Sequence, residues 1–348
     1  MELVNATPVP AKLFVSEIEG KPARYGMISA KATYRFDASG PFDFEAEKPY
    51  PMLPMDIPTP LGLLPRDDLP RTDAVFEVIV LGRAHAPAGK SATEAKVNVR
   101  VGKVERSLAV YGDREWTAQK AIGPAKPFKT MPLIWENAFG GSAEILVDKE
   151  SPVLVSDPVN RLGKGFDHLS QLGDLKAMFT PPAPYPVADP KRPLPNVEDP
   201  KAKIAKWSDA PRPACWATMP LDLGMHALRS VESELGPDGQ TRGSVKPELF
   251  HRAYPDWVIA RPPAESMVLV EGMTPEGAVV FKIQPLRILA DWCVGKESGT
   301  SELMPQMLVI LPDEMKYTLT YKFVSNMVAR EGEERSIRLR LAEGWMSK

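Results

Sequence analysis

Proline limits what this chain can fold into more than any other residue, because it is concentrated. Residues 49–70 hold seven prolines in 22 positions and residues 181–213 hold ten in 33, together 17 of the 37 in the 348-residue chain. Proline has no backbone N–H, breaks helix interiors and is kept out of central strands. A long helical bundle or solenoid is thereby excluded, and short strands with stiff connections are favoured. The chain is 43% apolar and 25% charged, which is enough for an ordinary buried core.

Between the proline clusters the dominant signal is alternation. Residues 25–36 place Ile28, Ala30, Ala32, Tyr34 and Phe36 on one side of a period-2 pattern, and residues 37–40 supply a turn into Phe42-Asp43-Phe44. Residues 75–81 form a nearly continuous β-branched run of the kind buried on both faces. Val97, Val99 and Val101 alternate with polar residues, turn at Gly102-Lys103 and return through residues 107–111. A third hairpin is expected from residues 267–272, a turn at Thr274-Pro275-Glu276-Gly277, and residues 278–283. Residues 307–311, 317–323 and 337–341 read as further strands, the last two with Lys and Arg outward.

These patterns predict a mainly β fold of sandwich-like antiparallel sheets with one or two short helices and long proline-rich connections. The helix is expected near 221–235, where Leu221, Met225, Leu228, Val231 and Leu235 fall near one face and Gly236-Pro237 follows. Residues 49–70 lack the donors of a central strand, yet are too apolar for a free linker. They are expected to lie as an extended strip over the sheet, a polyproline ligand for a partner's groove being the second reading. Residues 161–213 read as an irregular connection between an N-terminal β-rich unit, 1–160, and a C-terminal one, 214–348. In the alternative, a single composite domain, the C-terminal strands return to the N-terminal sheet.

Several chemistries find no support. The net charge of −2 lacks the basic footprint that phosphate-backbone binding needs, so nucleic acid is not an expected partner. No apolar run reaches the roughly 18 residues of a membrane span, so no membrane partner is expected, and the start of the chain has neither the basic nor the apolar part of a secretory leader. Two cysteines, Cys215 and Cys293, are too few for a disulfide framework and suit a reducing cytoplasm. The four histidines have no metal-ligand spacing, and neither a phosphate-binding glycine loop nor a nucleophile elbow occurs, so no metal, cofactor or catalytic residue is expected.

Two constellations stand out. In Tyr111-Gly112-Asp113-Arg114-Glu115-Trp116, Arg114 beside Trp116 can fork an anion or stack a sugar. The plainer reading is a tight turn in which Gly112 takes a positive φ, Asp113 bonds the turn backbone and Arg114 pairs with a distant carboxylate. The second runs from Phe128 through Pro132, Trp135, Glu136 and Phe139 to Gly140 and Gly141. Glu136 between aromatic residues suits a general acid of raised pKa, but glycoside chemistry needs a second carboxylate that the sequence does not identify. Here the plainer reading makes the aromatic residues core and the glycines sites of close backbone approach.

The order of these pieces resembles a large bacterial domain of unknown function encoded beside type VI secretion genes. The likeness is carried by Asn5-x-Thr7-Pro8, Lys31-Ala32-Thr33-Tyr34, Asp67-Asp68-Leu69-Pro70-x-Thr72-Asp73 and Gly112-Asp113-Arg114-x-Trp116. It continues through Pro127-Phe128-x-x-Met131-Pro132-Leu133-x-Trp135-Glu136-x-Ala138-Phe139-Gly140-Gly141, Leu194-Pro195-Asn196-Val197-Glu198-Asp199-Pro200 and Leu311-Pro312-Asp313-Glu314. The family's Asn-Pro-x-Gly-x-Gly stretch stands here as Asp157-Pro158-Val159-Asn160-Arg161-Leu162-Gly163-Lys164-Gly165. The resemblance implies a non-enzymatic cytoplasmic adaptor, without cofactor. Such an adaptor binds a secreted effector, in some cases one with a PAAR or Rhs domain, and helps load it onto the VgrG spike. The motif residues would then be structural or contact the partner. A carbohydrate-binding or carbohydrate-active β-sandwich and a structural component of the secretion apparatus are the competing expectations.

Overall fold

The structure, a computed structural model, describes residues 2–17, 24–36, 43–44, 48–69, 75–87, 90–146, 152–166, 192–220, 231–235, 241–245, 247–262, 265–326 and 335–343. Its described helices are all 3-10 turns of three or four residues, and the fold is β-rich.

The largest sheet has seven strands. Across it run Val258–Ala260, Val75–Val80, Met304–Leu311, Lys316–Asn326, Arg24–Arg35 and Ala11–Glu17, with Asp43–Phe44 beside the end of Arg24–Arg35. Strands from both sides of the proline-rich connection therefore share one hydrogen-bonded sheet. Val75–Val80 pairs in parallel with Met304–Leu311, and its burial on both faces suits its continuous apolar run. The other pairings in this sheet are antiparallel.

A five-stranded antiparallel sheet follows the order Val197–Glu198, Val104–Tyr111, Glu94–Val101, Met267–Glu271, Ala278–Lys282. The hairpins read at Gly102-Lys103 and at Thr274–Gly277 are present in it. Gly102 at φ +58° makes the first turn, where the chain reverses within two residues. A four-stranded sheet holds Glu2–Asn5, Arg335–Leu341, Ile288–Val294 and Glu297–Glu302. Inward faces of the three sheets join one apolar core. Phe36 and Tyr317 of the seven-stranded region stack on Phe281 of the five-stranded sheet, with ring centroids 4.4 and 4.8 Å apart.

The proline strip covers the large sheet. Tyr50 N–H donates to Thr33 Oγ1 at 2.9 Å, and Lys31 Nζ reaches both Pro51 O at 3.2 Å and the Asp67 carboxylate at 2.6 Å. This cover overturns one detail of the strand reading. Lys322, expected outward, is buried and donates to Leu69 O at 2.8 Å, because the strip supplies carbonyls where solvent was expected. Arg338, by contrast, is exposed.

The helix expected near 221–235 is also corrected. Val231–Leu235 is a strand paired with Thr241–Val245, and residues 221–230 lie outside the described residues. Val231, Ser233 and Leu235 alternate with Glu232 and Glu234 and so fit period 2 as well as 3.6. Pairing with a partner strand decides the ambiguity. The turn expected at 37–40 and residues 167–191 of the connection also lie outside the described residues.

Candidate functional site

Most of the singled-out residues converge where the Val104–Tyr111 strand ends. Gly112 is essential there for a different reason from the one expected. Its φ is not positive; instead, a Cβ on it would lie 1.7 Å from Lys126 O, so only glycine admits the returning backbone. Two residues on, Arg114 is buried and pairs with the buried carboxylate of Glu198. Its guanidinium lies 3.7 Å from the Tyr111 ring centroid and also donates to Pro195 O at 3.2 Å. Glu198 Oε2 in turn accepts from Ile204 N–H at 3.1 Å.

Segment 192–198 ties the two constellations together. Trp116 N–H donates to Arg192 O, Leu194 N–H to Arg114 O, Tyr111 N–H to Asn196 O, and Asn196 N–H to Asn137 O, all at 2.7–3.0 Å. The Asn196 side chain donates to Tyr111 O at 3.0 Å and to Asp113 Oδ1 at 3.2 Å, which leaves Asp113 otherwise exposed. Asn196 and Glu198 lie in a segment that carries the resemblance but are not among the candidate site residues; Arg114 calls for a distant carboxylate, and nothing local identifies which.

The second constellation is equally interlocked. Trp135 Nε1 donates to Thr218 O at 2.9 Å, and Phe128 is buried, with its backbone paired to Ala92. Pro132, half-buried, closes a short strand paired with Arg83–His85, and its carbonyl accepts from Asn137 Nδ2 at 2.9 Å. Gly140 and Gly141 adopt φ of +139° and +120°, and a Cβ on Gly140 would lie 2.1 Å from Asn160 O. The Asn160 side chain donates to Trp135 O and Phe139 O, at 2.8 and 2.9 Å, holding this close approach in place. Phe139 packs with Trp116, Leu194 and Ile204 in a small satellite core. Glu136 stands apart, exposed on its 3-10 turn.

Trp116 has no free face for a sugar, being 3% exposed and packed at 5.5 Å on Trp207. Cys215 is buried with its thiol 3.5 Å from Leu133 O, and burial pushes its pKa up to about 12. A thiol of that kind is almost wholly protonated at neutral pH and is a poor nucleophile. In native protein at pH 8, Cys215 is expected to resist iodoacetamide and to react only once the chain is unfolded in urea. Mass-spectrometric mapping checks this, and rapid native labelling at Cys215 would contradict the buried position.

Among the described residues, no three His, Cys, Asp or Glu side chains stand close enough to hold a metal ion, and no helix is long and apolar enough to cross a membrane. Beside the interlocked motifs lies a cleft of about 820 Å³ between the Val104–Tyr111 strand and residues 199–216. Leu108, Trp216 and Tyr254 contribute to its apolar wall, while Arg106, Lys201 and Arg212 bring charge to its lining.

Residues 19–322 match the model of a family described as an uncharacterized protein conserved in bacteria (DUF2169). No curated protein and no solved structure matches the chain.

Proposed function

The chain belongs to this bacterial family, and from that premise we propose that it is a non-enzymatic cytoplasmic adaptor. It binds a type VI secretion effector and helps load it onto the VgrG spike. One observation carries the reading. Most of the residues that bear the resemblance, Gly112, Arg114, Trp116, Trp135, Phe139, Gly140 and Gly141, are committed to buried contacts within the fold and form a frame beside an open cleft, while Asp113 and Glu136 are exposed. Side chains so engaged hold a binding surface in shape, which is what a loading adaptor requires. The burial of Trp116 favours this reading over carbohydrate recognition, which needs an aromatic face open to the ring of a sugar.

The test is co-purification and export. Tagged full-length chain is expected to capture the product of an adjoining effector gene. Deleting the adaptor gene should abolish export of that effector while leaving spike secretion intact. Normal export without capture would refute the proposal, and finding the protein at fixed stoichiometry in secreted spike or sheath fractions would favour a structural component.

A further inference from the structure

The two-residue turn at Gly102-Lys103 determines which backbone groups of the Val104–Tyr111 strand face its hairpin partner. Val104 opposite Val101 starts the hydrogen-bonded series, so residues 104, 106, 108 and 110 bond toward Glu94–Val101, and Gly112 N–H continues the series to Thr93 O at 3.0 Å. Residues 105, 107, 109 and 111 present their N–H and C=O groups to the other side. There Tyr111 N–H meets Asn196 O at 2.7 Å, and Ala109 lies opposite Glu198. The covering strand is only Val197–Glu198, and Pro200, just beyond it, has no N–H to continue the ladder.

The sheet edge is consequently open over residues 104–107. Among the described residues, Ser107 N–H, Ser107 C=O and Glu105 N–H have no partner, while Glu105 O accepts from Arg106 Nη1 at 2.9 Å. This open edge borders the 820 Å³ cleft, whose wall includes Leu108, Trp216 and Tyr254. Four cations, Lys96, Arg106, Lys201 and Arg212, line the cleft against three carboxylates, Glu105, Asp199 and Asp256. Glu105 Oε1 accepts from Asn98 Nδ2 and Asp199 Oδ1 from Lys201 N–H, both at 2.8 Å. The exposed cations Lys96, Lys201 and Arg212 form no ion pair among the described residues.

We infer that the cleft receives an extended segment of the bound effector, added as a strand beside residues 104–107 where Val197–Glu198 stops. This rests on the adaptor reading and adds to it a site and a ligand chemistry. Main-chain hydrogen bonds to Ser107 and Glu105 supply the pairing, and acidic side chains of the segment meet the exposed cations Lys96, Lys201 and Arg212. Strand addition of this type obtains affinity from backbone bonds and specificity from alternate side chains. An unpaired edge beside a concave wall is the feature it uses.

The experiment uses full-length chain co-expressed with the product of the adjoining effector gene. In the complex, amide exchange at residues 104–108 is expected to slow by about tenfold or more, and a photocrosslinker replacing Glu105 should capture the effector. The same crosslinker replacing Val280, exposed on the opposite edge strand of the sheet, should not. Ser107→Pro removes an outward N–H that the fold does not use and should weaken binding about tenfold. Raising salt from about 0.1 to 0.5 M should weaken binding too, since exposed charges are screened. Should Ser107→Pro fail to fold, exchange and crosslinking on the otherwise native chain decide the matter. Effector capture with unchanged exchange at 104–108 and crosslinks only at Val280 would overturn this site and leave the adaptor reading standing. Failure to capture any effector would overturn both.

Discussion

Arg114→Ala is expected to lower folding stability by about 3–5 kcal/mol, the usual cost of leaving one member of a buried ion pair uncompensated. The stranded group is Glu198, whose side chain is 1% exposed, and the loss extends to the stacking of Arg114 on Tyr111 and its bond to Pro195 O. Arg114→Lys should recover only part of this, because a point charge cannot stack on the ring and fork two acceptors together. Replacing both partners, as Arg114→Met with Glu198→Leu, should be milder than Arg114→Ala, since no buried charge is left behind.

The loss should also depend on pH. Burial pushes the Glu198 carboxyl up from its ordinary value, against the downward pull of Arg114. A folded pKa above the unfolded one means that the native state holds more protons, so this contribution to stability is present at low pH and lost as pH rises through the folded pKa. With Arg114 gone the upward shift grows. The deficit of Arg114→Ala should therefore be largest at neutral pH and shrink in mild acid. Urea midpoints at pH 7 and 5 measure it, and an unchanged midpoint at pH 7 would show that the pair does not hold the frame.

The second large effect is expected at the strip. Asp67→Ala should cost about 3–5 kcal/mol by the same reasoning, because it leaves Lys31 charged and unpaired beneath the strip. Asp67 is fully buried, with one carboxylate oxygen 2.6 Å from Lys31 Nζ and 2.7 Å from Leu53 N–H, and the other 3.3 Å from Thr320 Oγ1. A single side chain thus ties the proline-rich segment to two strands of the large sheet. Chemical unfolding should show the loss, and limited proteolysis should show earlier cleavage within residues 49–69. If the variant unfolds and is cleaved as the native chain is, the strip is held by its apolar contacts alone.

Legibility followed sequence separation. The hairpins at Gly102-Lys103 and at Thr274–Gly277 were readable because alternation and turn chemistry lie within a few residues of each other. The Arg114 partner was not readable, because Glu198 lies 84 positions away and nothing local distinguishes it from other carboxylates. Gly112 was readable as a required glycine but not for its reason, since a backbone carbonyl at Lys126 is the obstacle and no φ preference reports it. Lys322 was misread as outward because period-2 reasoning assigns a face without knowing what covers it. Val231–Leu235 fits both periods, and only its pairing separates them.

The amino-acid sequence by itself determined that this is a β protein with stiff excursions, for proline removes donors and alternating apolar residues demand a half-buried sheet. Only the tertiary structure decided that strands within residues 11–80 share a sheet with strands within 258–326 and that the strip buries two lysines against carbonyls and a carboxylate. It alone also revealed that Val197–Glu198 covers half an edge and leaves the rest open. The physical reason is that periodicity specifies which face of a strand is apolar. Which strand lies beside it depends on contacts between residues far apart in the chain, and these exist only once the core has closed.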